Sequence, residues 1–433
     1  MDTLIETKES KIINLLAVPK ISVSRLLFFI IWPFGALLNA LHNFRQPYAK
    51  TVFWLFCIYY GFVFIYEDPS LGKFRADSGS YAHKLIELHN NPVSFSNLVR
   101  SLYKTEEGLL DVYQPLTTWV VSLFTDNPHW LFAVFAAIFG FFYSQNIWVI
   151  LKRANNKKID IILFLFILFF ALLNPIWNIN GVRMWTATQI FVYGCLLFFL
   201  EQNKKGLIWV ILTPLVHFSF VLPVIVFLFY HIIPDYLFIF FVFYIVTSFY
   251  NIIDIPRLKQ YLTVMPDIFQ PRVETYLSED YYTIVTKANE NLSWHVKFAV
   301  LSNRIIVYLW VITCFLIKAL RTQHKTLLKL FSFALFFGGF ANLADQVPSG
   351  GRLITISNCL FFVVFILVLI KISGSNRISL FKYISIPFLV FSILFMIRMG
   401  LGFTGALTFF GNPIIALIVP GQIPLIQLIK EFI

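Results

Sequence analysis

Charge is scarce in this chain. Only 13% of its 433 residues are charged, where a soluble protein carries about 25%. Against 58% hydrophobic residues, 51 phenylalanines and a mean hydropathy of +0.76, that scarcity excludes a soluble fold and implies a polytopic membrane protein. Acidic residues are scarcer than basic ones, 22 against 34, which leaves a formal charge of +12. In a soluble protein that excess would point to nucleic acid. In a membrane protein Lys and Arg collect in cytoplasmic loops, so nucleic acid is set aside as a partner. Four cysteines, Cys57, Cys195, Cys314 and Cys359, all lie inside apolar runs, which excludes a disulfide framework and a redox or zinc motif. H-E-x-x-H, G-x-S-x-G, a Walker glycine loop and a Cys/His metal set are all missing. Nucleotide and metal chemistry therefore lack support, and no cofactor is expected. The stretch after Lys8, Lys11 and Lys20 lacks a small-residue cleavage site, so a removable signal peptide is not expected. No fixed-period repeat or low-complexity segment is found.

What the chain does have is apolar runs divided by polar turns, read as one integral-membrane domain over residues 1–433. Residues 1–50 form an N-terminal cytoplasmic or interfacial segment, whose apolar stretch Arg25 to Phe44 is broken by Pro33 and Gly35 and is expected to lie in the interface. Thr51 to Tyr66 is the first confident span. Residues 67–127 are a long extracytoplasmic loop, within which Tyr113 to Phe124 is too short to cross. Pro128 to Ile150 runs to a basic cluster, Lys152, Arg153, Lys157 and Lys158; Ile159 to Trp177 goes out, and Met184 to Leu200 returns to Lys204 and Lys205. Gly206 to Ile233 carries Pro214 and Pro223 with His217 between them. A single crossing here would put the later basic cluster Lys318, Arg321, Lys325 and Lys329 outside, so two short helices with His217 at the outer tip are expected. A second extracytoplasmic loop, residues 254–297, follows Leu237 to Ile253. Phe298 to Ile317, Leu327 to Leu343, Leu353 to Ile370 and Tyr383 to Met399 then alternate, and Phe403 to Leu428 comes back or re-enters. The fold class is all-α, with about 12 transmembrane helices, some broken or re-entrant.

This topology brings Asp77, Arg183, His217 and Arg352 to one leaflet. Ionisable residues at helix ends in lipid are costly unless paired or functional. Asp77 is either a general base for an acceptor hydroxyl or a helix cap or partner of Arg75. Arg183, after the turn Asn178 to Val182, is either a bidentate phosphate ligand or a headgroup anchor. Arg352, after Pro348-Ser349-Gly350-Gly351, carries the same two readings. His217 is either an acid-base or sugar-binding group or a buried, hydrogen-bonded structural one. Arg75, Tyr81, Tyr113, Gln114, Asn180, Arg272 and Arg304 are the further candidate substrate contacts.

Asp77-x-x-x-Tyr81 after a span, Arg183-x-x-x-Ala187 opening a helix, the Lys204-Lys205 turn, His217-Phe218-Ser219 and Gly351-Arg352-Leu353 occur in the order and spacing of the EpsG-type, Wzy-like polysaccharide polymerases, and the chain resembles that family from about residue 51 to 371. Met184 stands where the family often has Gln. The resemblance implies a bacterial cytoplasmic-membrane enzyme of GT-C-like arrangement, joining undecaprenyl-diphosphate-linked repeat units at the outer face, with the bilayer as its medium and a chain-length regulator as a possible partner. On it, Asp77 is the base or acceptor-orienting group, Arg183 and Arg352 hold the diphosphate, and His217 positions sugar or phosphate. A lipid-linked sugar transferase or ligase shares this chemistry. A flippase or transporter would instead need polar groups at mid-membrane in several spans and related halves.

Overall fold

The computed structural model describes residues 21–432 except 71–75, 103–110, 156, 250–290, 348–349, 373–375 and 420. The expected N-terminal amphipathic helix, Arg75, Arg272, Pro348, Ser349 and nearly all of the 254–297 loop lie outside the described residues. Among those described, every regular element is helical: α1 Val23–Ile31, α2 Pro33–His42, α3 Ala49–Phe62, α4 Asp77–Asn90, α5 Phe95–Leu102, α6 Tyr113–Ser122, α7 Pro128–Arg153, α8 Ile161–Leu173, α9 Val182–Leu200, α10 Lys205–Val216, α11 Val221–Ile232, α12 Leu237–Phe249, α13 Trp294–Leu316, α14 Lys318–Gln323, α15 Lys325–Ala344, α16 Gly351–Lys371, α17 Asn376–Gly400, α18 Ala406–Phe410, α19 Pro413–Ile418 and α20 Leu425–Phe432. Among the described residues, six apolar stretches are long enough to cross a membrane, and α10, α12 and the Phe218–Ile232 stretch are shorter apolar helices. The chain is an integral membrane protein.

One of the six, Ile161–Leu200, spans 40 residues. A straight helix of that length would run about 60 Å, twice the hydrocarbon thickness. It is cut by a 3-10 turn at Ile176–Gly181. Asn174, at the end of α8, donates to the Trp185 carbonyl at 3.0 Å, and its own carbonyl accepts from the Gln189 amide at 2.8 Å. Contacts across 11 and 15 residues mean that the chain has doubled back. Asn146 of α7 joins them, donating to the Gln189 carbonyl and side-chain oxygen at 2.9 and 2.7 Å. In lipid such amide bonds hold helices together where the hydrophobic effect does not.

The Pro214–Pro223 segment folds as the expected hairpin. Helix α10 packs antiparallel on α9 through Gly194 and Gly206; a Cβ at Gly194 would meet the Gly206 carbonyl oxygen at 2.8 Å. Phe220 then meets Phe191 edge-on, while Phe227 and His231 lie against Phe198 and Phe199, so α11 runs parallel to α9 and opposite to α10. Each arm has 12 residues, about 18 Å, which is less than a crossing. Gly206→Leu is expected to separate α9 from α10 at a cost of about 1–3 kcal/mol, read as a lower thermal midpoint of the detergent-purified protein.

The basic turns share one end of the bundle. Lys157 caps the Leu369 and Ile370 carbonyls at the end of α16, Lys382 pairs with Asp160, Arg153 pairs with Glu201, and Arg45 donates to the Asn155 and Lys157 carbonyls. The α8–α9 turn and the hairpin tip lie at the opposite end.

Two stretches left open by the sequence reading take definite form. Among the described residues, 67–127 hold three helices, α4, α5 and α6; α4 and α6 pack on α7 through Tyr81 and Tyr113 against Phe135, and α5 meets α6 where Phe95 lies against Trp119. The stretch after Phe403 forms short helices that fold back on α2 and α3. Trp32 donates to the Phe409 carbonyl, Tyr59 to that of Leu407, and Gln422 to that of Val63.

Candidate functional site

Helices α4 and α6 sit over the α8–α9 turn and the hairpin tip, and their polar groups meet there. Asp77 is the first residue of α4, where its charge suits the helix N-terminus. Its side chain does not cap the helix, since the N-cap is Ala76, so the carboxylate is left to face the site. Tyr81, one turn on and only 4% exposed, donates to Asp77 Oδ2 at 3.3 Å. Burial pushes the Tyr81 phenol up, so it stays protonated and remains a donor. The carboxylate lies over the corner of the chain: a Cβ on Gly181 would stand 3.7 Å from Asp77 Oδ2.

Arg183 enters from that corner. Its Nη1 donates to Asp111 Oδ2 at 3.0 Å, and the Tyr81 hydroxyl also faces the guanidinium. Asp111 is fully buried, while the Arg183 side chain is 25% exposed. The other carboxylate oxygen, Oδ1, accepts the Phe218 backbone N–H at 2.7 Å, and the Val112 N–H bonds the Leu215 carbonyl at 3.0 Å. Asp111 therefore ties α9, the hairpin tip and the entry to α6 to one point. Both carboxylate oxygens are engaged, as a buried charge requires.

His217 breaks the hairpin in extended geometry. Its Nδ1 accepts from the Ser219 N–H at 3.2 Å, which caps the turn that follows, and lies 2.8 Å from the Ser219 hydroxyl. Tyr113 is half-buried, and its buried hydroxyl lies beside that of Thr186. Asn180 Oδ1, on the corner, is buried without a hydrogen-bond partner among the described residues. Gln114 is buried and spends its amide on Thr118 at 3.0 Å.

The structure thus brings Asp77, Tyr81, Arg183 and the hairpin tip bearing His217 to one end of the bundle. Arg352 and Arg304 lie elsewhere on it. Arg352 is exposed in the first turn of α16 and makes no hydrogen bond or ion pair among the described residues. Arg304, on α13, pairs with Asp345 at 3.3 Å beside that helix start. The expectation that Arg183 offers a free fork to phosphate is altered, since one edge of its guanidinium is held by Asp111.

Asp111 is the residue that sequence reasoning missed. A lone carboxylate in Leu109-Leu110-Asp111-Val112-Tyr113 does signal burial, and a buried charge demands a partner. What the sequence does not supply is that the partner lies 72 residues away.

The family model described as the EpsG family matches residues 112–410. The matched stretch carries Arg183, His217, Arg304 and Arg352, and it starts one residue after Asp111, so Asp77 and Tyr81 fall outside it. No curated protein and no solved structure gives a significant match.

Proposed function

The chain belongs to the EpsG family, a family associated with membrane proteins of exopolysaccharide biosynthesis, and on that premise we propose that it is a glycosyltransferase that polymerises lipid-linked repeat units. The observation that carries this reading is the Asp77–Tyr81–Arg183–Asp111 network, a cluster of charges built at a chain corner and a broken-hairpin tip. Irregular backbone at membrane depth is tolerated where it lines a cavity or a wet site, so this corner is a place for chemistry.

Asp77 serves as the base, or the orienting acceptor, for the attacking sugar hydroxyl. Tyr81 holds it in place. Arg183, fixed by Asp111, supplies its remaining N–H groups to the reacting end of the donor. Arg352 makes no hydrogen bond or ion pair among the described residues and stands at the start of a 21-residue helix, which is a setting that favours a diphosphate. His217 shapes the tip. The donor is an undecaprenyl-diphosphate-linked glycan, and no nucleotide sugar or metal ion takes part. The basic end of the bundle faces the cytoplasm by the positive-inside rule, which turns the site outward. Counting the paired short helices, the arrangement is GT-C-like, with about a dozen membrane segments.

The test is the product. Wild-type protein in membranes supplied with lipid-linked repeat units should give a glycan ladder, and a single added unit would reject polymerisation in favour of a one-step transferase. Arg352→Ala should lower ladder intensity about 10-fold or more, the loss of one charge-assisted phosphate contact. An unchanged ladder would remove Arg352 from the site.

A further inference from the structure

A second polar space lies at the same end of the bundle. A cavity of about 530 Å³ is lined by the ends of α8 and α12, the first half of α13, the α15–α16 turn, the first half of α16 and the last turns of α17. Its volume is in the range of small-molecule sites, about 300–1,000 Å³. The lining is unusual for a space between membrane helices. Asn303, Asn342 and Asn358 project amides, Thr247, Ser357 and Ser392 project hydroxyls, and Tyr244, Tyr308 and Phe395 supply aromatic wall.

Among the described residues, three of these groups lack hydrogen-bond partners. Asn358 is 7% exposed and makes no hydrogen bond among the described residues. Asn303 Oδ1 and Ser392 Oγ are buried without a partner, and Ser392 as a whole is 3% exposed. Buried polar groups are nearly always satisfied, by protein, water or ligand. By contrast Asn342 is committed, its amide donating to the Tyr244 carbonyl and to the Thr247 and Ser248 hydroxyls, so the wall itself is rigid. The two charges at the cavity, Arg304 and Asp345, neutralise each other at 3.3 Å.

The cavity adjoins the proposed reaction site. Leu173 lines it, and the next residue, Asn174, begins the corner that carries Arg183. Trp177 of the same corner rests on Gly400, at the end of the helix that contributes Ser392 and Phe395.

We propose that this cavity is a saccharide-binding site that holds an uncharged stretch of the glycan beside the linkage being made. This rests on the polymerase reading above. Neutral amides and hydroxyls with aromatic walls match sugar hydroxyls and ring C–H faces, whereas a lipid chain would leave these amides unsatisfied; the lining's own cation, Arg304, is paired with Asp345, and Arg352, the cation given to the diphosphate, is not part of the lining. The held glycan is retained between additions, so the site governs chain length rather than bond formation.

The test uses the full chain in detergent or nanodiscs and, as probe, short oligosaccharides cut from the surface polysaccharide of the source cells. Wild-type protein should bind them in calorimetry. Asn358→Leu and Ser392→Ala should each weaken binding about 10-fold. Neither should lower the thermal midpoint, because the groups removed have no hydrogen-bond partner among the described residues. In cells the same variants should still form the first linkage but shift the ladder to shorter chains. Equal affinity in wild-type and variant protein, no binding by wild type, or a co-purified phospholipid that the oligosaccharides do not displace would each overturn the assignment. Loss of the midpoint with loss of binding would show a structural role and overturn it too. If instead the polymerase reading is wrong, Asp77→Asn will leave the ladder intact as well, which separates the two failures.

Discussion

Asp77→Asn is expected to remove long-chain glycan while leaving the protein folded. The amide has nearly the same shape as the carboxylate, and its Oδ1 can still accept from the Tyr81 hydroxyl, which stands 3.3 Å away in the native site. What is lost is the ability to take a proton. General-base catalysis contributes about 10²–10⁴ in rate, so polymer formed per unit of enzyme should fall by about that factor. The measurement is a single-round assay with lipid-linked repeat units, alongside the amount of monodisperse protein extracted from membranes. Full activity in Asp77→Asn would leave the site without a base and sink the role given to this carboxylate. The substitution tests chemistry rather than scaffolding, because Asp77 stands at the surface of the network and Asp111 lies inside it.

Asp111→Ala is expected to fail differently, at folding. Asp111 is fully buried and holds both Arg183 and the Phe218 N–H. Removing it leaves a guanidinium that is only a quarter exposed without its counter-charge, and opens the hairpin tip. Breaking a buried pair costs about 3–5 kcal/mol. The lower end, about 3 kcal/mol, applies because Arg183 retains some solvent, and that is a large part of a membrane protein's margin. Far less protein should survive extraction, with a lower thermal midpoint. The double variant Asp111→Leu with Arg183→Met removes both charges together and should recover much of the folded protein, since apolar replacement of a buried pair is often close to neutral. It should make no polymer. Recovery of both fold and polymer would show that the pair is structural only and that Arg183 takes no part in transfer.

The hairpin shows how far sequence reasoning reached. Two prolines around His217, and the need to keep the later basic cluster inside, led to two short helices with His217 at the tip. The ring contacts of Phe220 with Phe191, and of His231 with Phe198 and Phe199, have that order and direction. The α8–α9 turn was legible too, since the polar run Asn178 to Arg183 divides two apolar stretches, Ile159 to Trp177 and Met184 to Leu200. The three helices over residues 67–127 were not legible. Their pattern is amphipathic, and whether such a stretch is a solvated loop or a cap over a site depends on the surface it can cover.

The candidate site divides in the same way. Asp77, Arg183 and His217 stood out as ionisable groups at membrane exits, and the structure sets Asp77, Arg183 and the His217 tip around one corner. Arg352 also stood out, but it lies at the start of α16 near the second cavity. Nothing in the sequence allots a cation to one partner rather than another. Asp111, Asn358 and Ser392 could not be singled out because their importance is relational. A carboxylate, an amide and a hydroxyl are unremarkable until burial removes water as their partner.

By itself the sequence determined that this chain lives in a membrane, where it turns, which end carries its positive charge and which family it belongs to. Those follow from hydropathy, residue counts and motif order, which are properties of segments. The tertiary structure alone decided that Asp77 meets Tyr81, that Arg183 is held by Asp111, and that a polar cavity stands beside them. Those are pairings between segments far apart in the chain, chosen by packing in a medium that offers no water to a polar group left alone.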